Sequence, residues 1–336
     1  MTETSLDLGA ARDLAAAALT ACDTSAANAE VVADALVLAE ADRLSSHGLA
    51  RLPAYADQAK SGKVDGRVEP ALRQTASAAL LVDAGTGFAF PAINQGLAAL
   101  SALARDTGIA GLAVANSHHF GVAGHPVEAL ARGGLIALGF GNSPAAIAPW
   151  GGRTPLFGTN PIAFACPRDG HDPIVVDLSL SKVARGKVMV AAQRGEPIPE
   201  GWAFDPDGRP TTDAGAALAG SMAPLGDAKG AALALMVEIL ATCLTGANFG
   251  YEASSFFEPE GPPPRVGQAF LAIAPGAMGH DGFARRVETL VAAILDQPGT
   301  RLPGARRFAL RAAAERDGIT VPDALYRQIA ARAGRG

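Results

Sequence analysis

Strand-length apolar runs alternate along this chain with segments whose apolar residues recur every three or four positions, and that alternation restricts it to an α/β fold. The clearest run is 109–115, bounded by Gly108 and Asn116, which reads as a buried strand. Residues 75–83, 135–140, 161–166, 174–178 and 268–274 read as further strands. Helical spacing covers 5–44, with Asp13 and Ser25 as candidate caps, then 49–61, 91–107, 127–132, 230–244, 283–295, 307–317 and 322–331. Residues 141–160 form a loop rich in Gly, Pro and Asn, and 194–212 is so dense in Gly and Pro that it reads as an ordered arm without regular structure.

One familiar α/β solution is excluded. No glycine set fits GxGxxG, because Gly85 and Gly87 are followed by Phe90, and Gly139 and Gly141 by Pro144. A dinucleotide bound by this chain is therefore held outside a Rossmann unit. The length of 336 residues suffices for a large core without disulfides. A formal net charge of −5, from 28 Lys and Arg against 33 Asp and Glu, supplies no field for nucleic acid. The local exception, Arg301, Arg306, Arg307, Arg311 and Arg316, reads as a solvated helix face. Cys22, Cys166 and Cys243 match no metal spacing and read as buried or inert thiols of a reducing cytoplasm. The first residues carry Glu3, Asp7 and Asp13 in place of a basic leader, and the apolar run 231–244, with Glu238 inside it, reads as a buried helix too short to span a bilayer.

The chemistry-bearing residues gather at a few points. His118 and His119 stand where the strand 109–115 meets a loop, and imidazole suits proton transfer near neutral pH. The pattern alone leaves catalysis and core packing equally open. A metal site of His118, His119 and His125 finds no HExxH or HxH spacing to support it. Arg51 and Tyr55 share a helix face, and a guanidinium pairs bidentately with the carboxylate of a small acid; a salt bridge to Asp42 or Asp57 is the plainer alternative. Asp227-Ala228-Lys229-Gly230 opens an apolar helix with free N–H groups beside an ammonium, which reads either as an anion site or as a simple Asp cap.

Taken together, SHGLARLPAY (46–55), NSHHFGVAG (116–124), APWGGRTPLFGTNPIAFACP (148–167), DLSLS (177–181), GDAKG (226–230) and the PG at 303–304 resemble the type 2 malate/L-lactate dehydrogenase family. The likeness is collinear over nearly the whole chain. It implies a mixed, largely antiparallel sheet surrounded by helices, and a homodimer. Residues 1–75 with 282–336 would form a helical substrate and dimerisation region, and 76–281 a dinucleotide-binding domain. The implied activity is NAD(P)-dependent interconversion of a 2-oxo acid and a 2-hydroxy acid of the malate, lactate or 3-sulfolactate type. The alternative is reduction of piperideine-2-carboxylate or pyrroline-2-carboxylate, which the stretches 181–193 and 253–257 also resemble.

By motif, the resemblance makes His119 the general acid/base, with His47 and Asp177 in the catalytic group and His118 structural. Ser46, His47, Arg51, Tyr55, Thr159 and Asn160 would face the substrate. Ser143, Asp177, Leu178, Ser179, Lys229, Gly230 and Gly304 would contact NADP or NAD, with no metal. Arg185 and Lys187 tilt the expectation toward NADPH. Many members of the family carry Glu directly after the PG, where this chain has Ala305.

Overall fold

The protein is described from a computed structural model covering residues 2–279 and 281–334. Its centre is a seven-stranded sheet. Across the sheet the strands run in the order Ala71–Ala76, Ala79–Asp83, Ile109–Ser117, Val266–Ile273, Ile136–Gly141, Ile162–Cys166 and Ile174–Leu178. Every neighbouring pair is antiparallel except Ala79–Asp83 with Ile109–Ser117, where Leu80 lies opposite Leu112. Parallel pairing requires a crossover, and the helix Ala89–Thr107 supplies it. That helix lies close on the sheet because Gly96 faces Leu112 and Val82, and a Cβ there would sit 2.6 Å from the Leu112 side chain.

On one side, helices Leu8–Thr20, Ala26–Ala41, Leu52–Lys60 and Asp323–Arg332 share an Ala- and Leu-rich core that includes Leu19, Leu36, Leu52 and Tyr55. Against Phe140 and Ala269 of the sheet, helices Arg185–Arg194, Ala214–Ala219 and Ala228–Glu238 pack with the loop 141–160 around Ile147, Leu180 and Met222. The mixed, mostly antiparallel sheet inside helices agrees with the expected architecture.

Several local expectations are corrected. The chain opens with a strand, Glu3–Leu6, paired to a second unforeseen strand, Ile319–Pro322. The first helix is capped by Asp7, whose Oδ1 accepts from the Ala10 N–H, so Asp13 lies inside it; Ser25 does cap the second. The arm 194–212 contains two short strands, Ala203–Phe204 and Pro210–Thr211, joined to Ser221–Met222. Arg185–Arg194 is helical although no helix was expected there.

The helix expected at 230–244 begins at Ala228 and passes into a π-helical turn, Ile239–Cys243. Nor is it wholly buried. Ala234, Val237 and Ala241 face inward, while Leu233, Met236, Ile239 and Leu244 remain exposed, Leu244 at 65%. A helix apolar all round has no face suited to water, so this exposure needs a cover. Cys243 at its end is exposed, whereas Cys22 and Cys166 are buried. Among the described residues no helix is long and apolar enough to cross a membrane.

Candidate active site

Helix Ala26–Ala41 ends at Asp42, and the left-handed Arg43 (φ 56°) turns the chain into the segment that carries Ser46, His47 and Arg51. Glu40 holds this turn by accepting from Ser45 Oγ (2.6 Å) and from the Leu49 N–H (3.0 Å). Gly48 lies against the same carboxylate with no room for a Cβ, which accounts for the glycine in SHG. From the sheet, strand Ile109–Ser117 ends after a left-handed Asn116 (φ 51°) and delivers His118 and His119.

The two groups meet. Tyr55 Oη lies 2.6 Å from His119 Nδ1, and the His47 ring stacks on that of His119 with centroids 5.5 Å apart. Burial raises the Tyr55 pKa, so the phenol keeps its proton and donates it to Nδ1, leaving the His119 proton on Nε2. Ser46 Oγ stands 3.0 Å from His47 Nδ1 and can fix that ring in the same tautomer. Burial, reinforced by the Arg51 charge, lowers His47 to about 4 and takes His119 well below 6.5.

His118 points away into an aromatic box of Tyr55, Phe88 and Phe256, with neither ring nitrogen hydrogen-bonded. Burial there lowers its pKa to about 3. His125 gives its Nε2 to Asp42 at 2.8 Å, so the three histidines do not converge on one point. Arg51 pairs with neither Asp42 nor Asp57, which are taken by Arg311 and Arg332. Its Nε donates to Ser46 O (2.7 Å), its Cζ lies 4.3 Å from the Phe257 ring centroid, and its buried Nη1 has no partner.

Beside this group opens a cleft of about 720 Å³ lined by His47, Thr159, Asp177, Leu178, Ser179 and Gly304, among others. His47 is on its wall; His119, bonded to Tyr55 and half-buried like His47, is not among its lining residues. Asp177 accepts the Gly124 N–H at the start of helix Gly124–Arg132 (2.8 Å), and burial nonetheless raises its pKa. Gly304 (φ 89°) turns the chain where a side chain would strain the backbone and crowd Val175 and Phe308.

Other expected contacts lie elsewhere. Asn160 is fully buried and donates to Ala234 O and Glu238 Oε2, away from the cleft. Ser143 accepts the Thr159 N–H at 3.1 Å and so supports the wall from behind. Lys229 is exposed at the start of helix Ala228–Glu238, and Gly230 packs against Leu225 O with no space for a Cβ; neither lines the cleft. Asp227, at φ 57°, makes no side-chain cap, which removes the plain capping alternative. Arg185 is committed to the carbonyls of Ala145 and Leu218.

The basic stretch is a solvated face only in part: Arg301, Arg306 and Arg316 are exposed, whereas Arg307 and Arg311 are mostly withdrawn from solvent. Arg301, Arg306 and Arg307 line the cleft, and Arg311 reaches Asp42 at 2.9 Å and Glu128 at 2.6 Å. Burial of Asp42 opposes its ionisation, but hydrogen bonds from His125 and Arg311 outweigh that and lower its pKa. The ion pairing was invisible in the sequence because its members come from three distant helices. Phe256, 5.1 Å from the His119 ring, and Phe257 also escaped assignment, although their segment had been singled out.

A fold without a Rossmann unit, enclosing a cleft beside paired imidazoles and a free guanidinium edge, defines the setting for the comparisons. The family model for malate/L-lactate dehydrogenase matches residues 6–330, and the chain belongs to that family. It is 56% identical over 329 residues, 98% of each chain, to (2R)-3-sulfolactate dehydrogenase (NADP(+)) of Chromohalobacter salexigens. It is 44% identical over 300 residues, 89% of this chain and 88% of the relative, to the Δ(1)-pyrroline-2-carboxylate/Δ(1)-piperideine-2-carboxylate reductase of Pseudomonas putida. The crystal structure of Δ1-piperideine-2-carboxylate reductase from Pseudomonas syringae pv. tomato superposes with a TM-score of 0.92 at 39% identity, covering 98% of this chain and 99% of that one.

Proposed function

We propose that the protein is an NADP-dependent oxidoreductase that interconverts a 2-oxo acid and its 2-hydroxy acid, with 3-sulfolactate as its substrate. The observation that carries this is Arg51, whose unpartnered Nη1 offers a carboxylate site in the same segment as His47. The choice of acid and cofactor rests on the 56% identical sulfolactate dehydrogenase. The cleft suits a dinucleotide: its volume lies within the usual range for ligand sites, and Arg301, Arg306 and Arg307 place positive charge on its wall. Gly304, Asp177, Leu178 and Ser179 would hold the dinucleotide there, with Ser143 supporting the wall through Thr159; Lys229 and Gly230 enter the reading by motif alone.

When bound, the nicotinamide supplies the hydride that reduces C2 of the substrate. Arg51 orients the substrate carboxylate, and Phe257 and Ser46 O hold the guanidinium in position for it. The proton for the substrate oxygen comes from the stacked imidazoles, with His47 facing the cleft and His119 stacked on it, fixed by Tyr55. An anionic substrate beside His47 opposes the low pKa that burial imposes and favours the charged acid. Thr159 completes the substrate wall, and Asp177 receives the Gly124 N–H so that segment 121–124 keeps its place.

The reading extends to a homodimer, because the exposed Leu233, Met236 and Leu244 face needs a cover, and to the cytoplasm, where three free thiols stay reduced. The helical layer of 1–75 with 282–336 would carry substrate contacts, and 76–281 the dinucleotide. A second reading, reduction of cyclic imines, is favoured by the apolar wall that Phe256 and Phe257 present beside His119 and Arg51, and by the 44% identical reductase. The test is NADPH oxidation at fixed pH with 3-sulfopyruvate, oxaloacetate, pyruvate and piperideine-2-carboxylate. The highest kcat/KM is expected with 3-sulfopyruvate. Turnover of the imine alone moves the assignment to the second reading, and no oxidation with any of them overturns both.

A further inference from the structure

The segment that follows Ala253 has no helix or strand of its own, yet it supplies the two phenyl rings that touch the site. Something must hold it, and the hydrogen bonds identify what does. Lys63 is 2% exposed, and its Nζ donates to three backbone carbonyls of this one segment: Ser255 O at 2.7 Å, Glu258 O at 3.0 Å and Glu260 O at 3.1 Å. An ammonium has three donors, and all three are used here without any carboxylate. Gln58 Nε2 adds a bond to Glu258 O (2.9 Å), and Ser61 Oγ one to Pro259 O (2.5 Å).

These anchors belong to helix Leu52–Lys60 and the turn after it. The same helix starts directly after Arg51 and carries Tyr55, the partner of His119. The clamp arginine, the histidine support and the aromatic wall are thus fastened to one short rigid element. Within the wall the rings have different tasks. Phe256 is buried against His118 and His119, whereas Phe257 is 47% exposed and presents its face to the Arg51 guanidinium at 4.3 Å. Stacking on one face and the Nε bond to Ser46 O leave one ordered edge, carrying the unpartnered Nη1, for a ligand.

We propose that Phe257, held in place by Lys63, is a positioning residue that sets Arg51 for the substrate carboxylate and so governs the KM for the acid. This rests on the reading of Arg51 as the carboxylate clamp. Orientation of the guanidinium before binding lowers the cost of recognition and leaves the proton and hydride steps unaltered.

Steady-state kinetics with 3-sulfopyruvate and NADPH on the full chain test it through Phe257→Leu, Lys63→Met, Arg51→Lys and the double variant Phe257→Leu/Arg51→Lys. Phe257→Leu, at a half-exposed position, should raise the KM for the acid by roughly three- to thirtyfold, the range expected for loss of a cation–π contact. The kcat and the NADPH affinity, read by cofactor fluorescence, should stay near wild type. Lys63→Met should produce the same split. In the double variant the Phe257 effect should largely vanish, because the planar guanidinium edge that the ring orients is gone.

A loss confined to kcat, or an unchanged KM in Phe257→Leu, overturns the proposal, as does full additivity in the double variant. If Lys63→Met only lowers the melting temperature while KM holds, its part in the proposal falls. If Arg51→Lys leaves KM unchanged, the clamp reading fails; if it raises KM and Phe257→Leu does not, the clamp stands and the positioning role alone is lost.

Discussion

Two buried polar clusters meet at the cleft, and they are built on opposite plans. In the first, Asp42 and Glu128 are matched by Arg311, Arg307 and Arg132, charge against charge, at distances from 2.6 to 3.8 Å, and Asp42 also by His125 Nε2 at 2.8 Å. In the second, His47, Arg51, Tyr55, His118 and His119 include no carboxylate, and Arg51 Nη1 and both His118 nitrogens lack partners. The first cluster leaves neither carboxylate unpaired and joins the end of helix Ala26–Ala41 to helices Gly124–Arg132 and Ala305–Asp317. The second is cationic and unsatisfied, and an anion completes it. Scaffolds consume their hydrogen-bonding capacity, whereas sites keep some in reserve. Arg307 stands on the border, near Asp42 at 3.5 Å and Asp177 at 3.8 Å, and lines the cleft.

If the division is right, substitutions in the two clusters will fail in different ways. The largest effect is expected from His47→Gln, which removes the imidazole on the cleft wall and should lower kcat/KM by about 10²- to 10⁴-fold. The melting temperature and NADPH affinity should change little. His119→Gln should cost less, since that ring is not among the residues lining the cleft; a larger loss at His119 would return the donor role to it. In the other cluster, Asp42→Asn removes the carboxylate that Arg311 and His125 share and leaves a buried guanidinium under-compensated. Stability should fall by about 3–5 kcal/mol in urea unfolding. The double change Asp42→Asn/Arg311→Met should recover part of that. Intact stability in Asp42→Asn would break the comparison at its root.

The sequence reached these clusters unequally. His47, Arg51, Tyr55 and His119 lie in two short motifs, so spacing and family likeness placed them together. Composition alone had left His119 undecided between core and catalysis. Asp42, Glu128 and Arg311 were out of reach, because each is an ordinary helix residue whose partner lies 183 or 269 positions away. A run of arginines reads as solvated unless the opposing carboxylates are known. The fold followed the same rule: strands bounded by Gly or Asn were legible, whereas Ile319–Pro322 was not, since it exists only as the partner of Glu3–Leu6. Asn160 is expected at the substrate by motif alone; its fully buried amide, at a backbone φ of 38°, donates to Glu238 and Ala234 O.

Acid separates the clusters more gently. The folded chain keeps His118 neutral down to about pH 3, while the unfolded chain protonates it near 6.5. Between those values the unfolded state binds the extra proton, so stability falls as pH is lowered through the window and levels off below the folded pKa. At pH 5 this one ring should cost about 2 kcal/mol. His118→Phe should make the stability curve shallower between pH 6 and pH 4 by about one proton. An unchanged slope would show that the ring takes up its proton in the folded state and that its aromatic box is not closed to water.

The smallest effect tests the finest detail of the second cluster. Tyr55→Phe keeps the packing against Phe88 and Phe90 and removes only the hydroxyl at His119 Nδ1. Net loss of one such bond is worth about 1 kcal/mol, which corresponds to roughly a fivefold fall in kcat/KM. The loss should appear in kcat, because Arg51 and its carboxylate edge are untouched, and the limb of the pH profile that reports the imidazoles should shift. A fall in KM-dependent terms alone would mean that Tyr55 acts on the substrate directly. The reserve of unpaired donors would then begin at Tyr55, and the His119 tautomer would have to be set by another group.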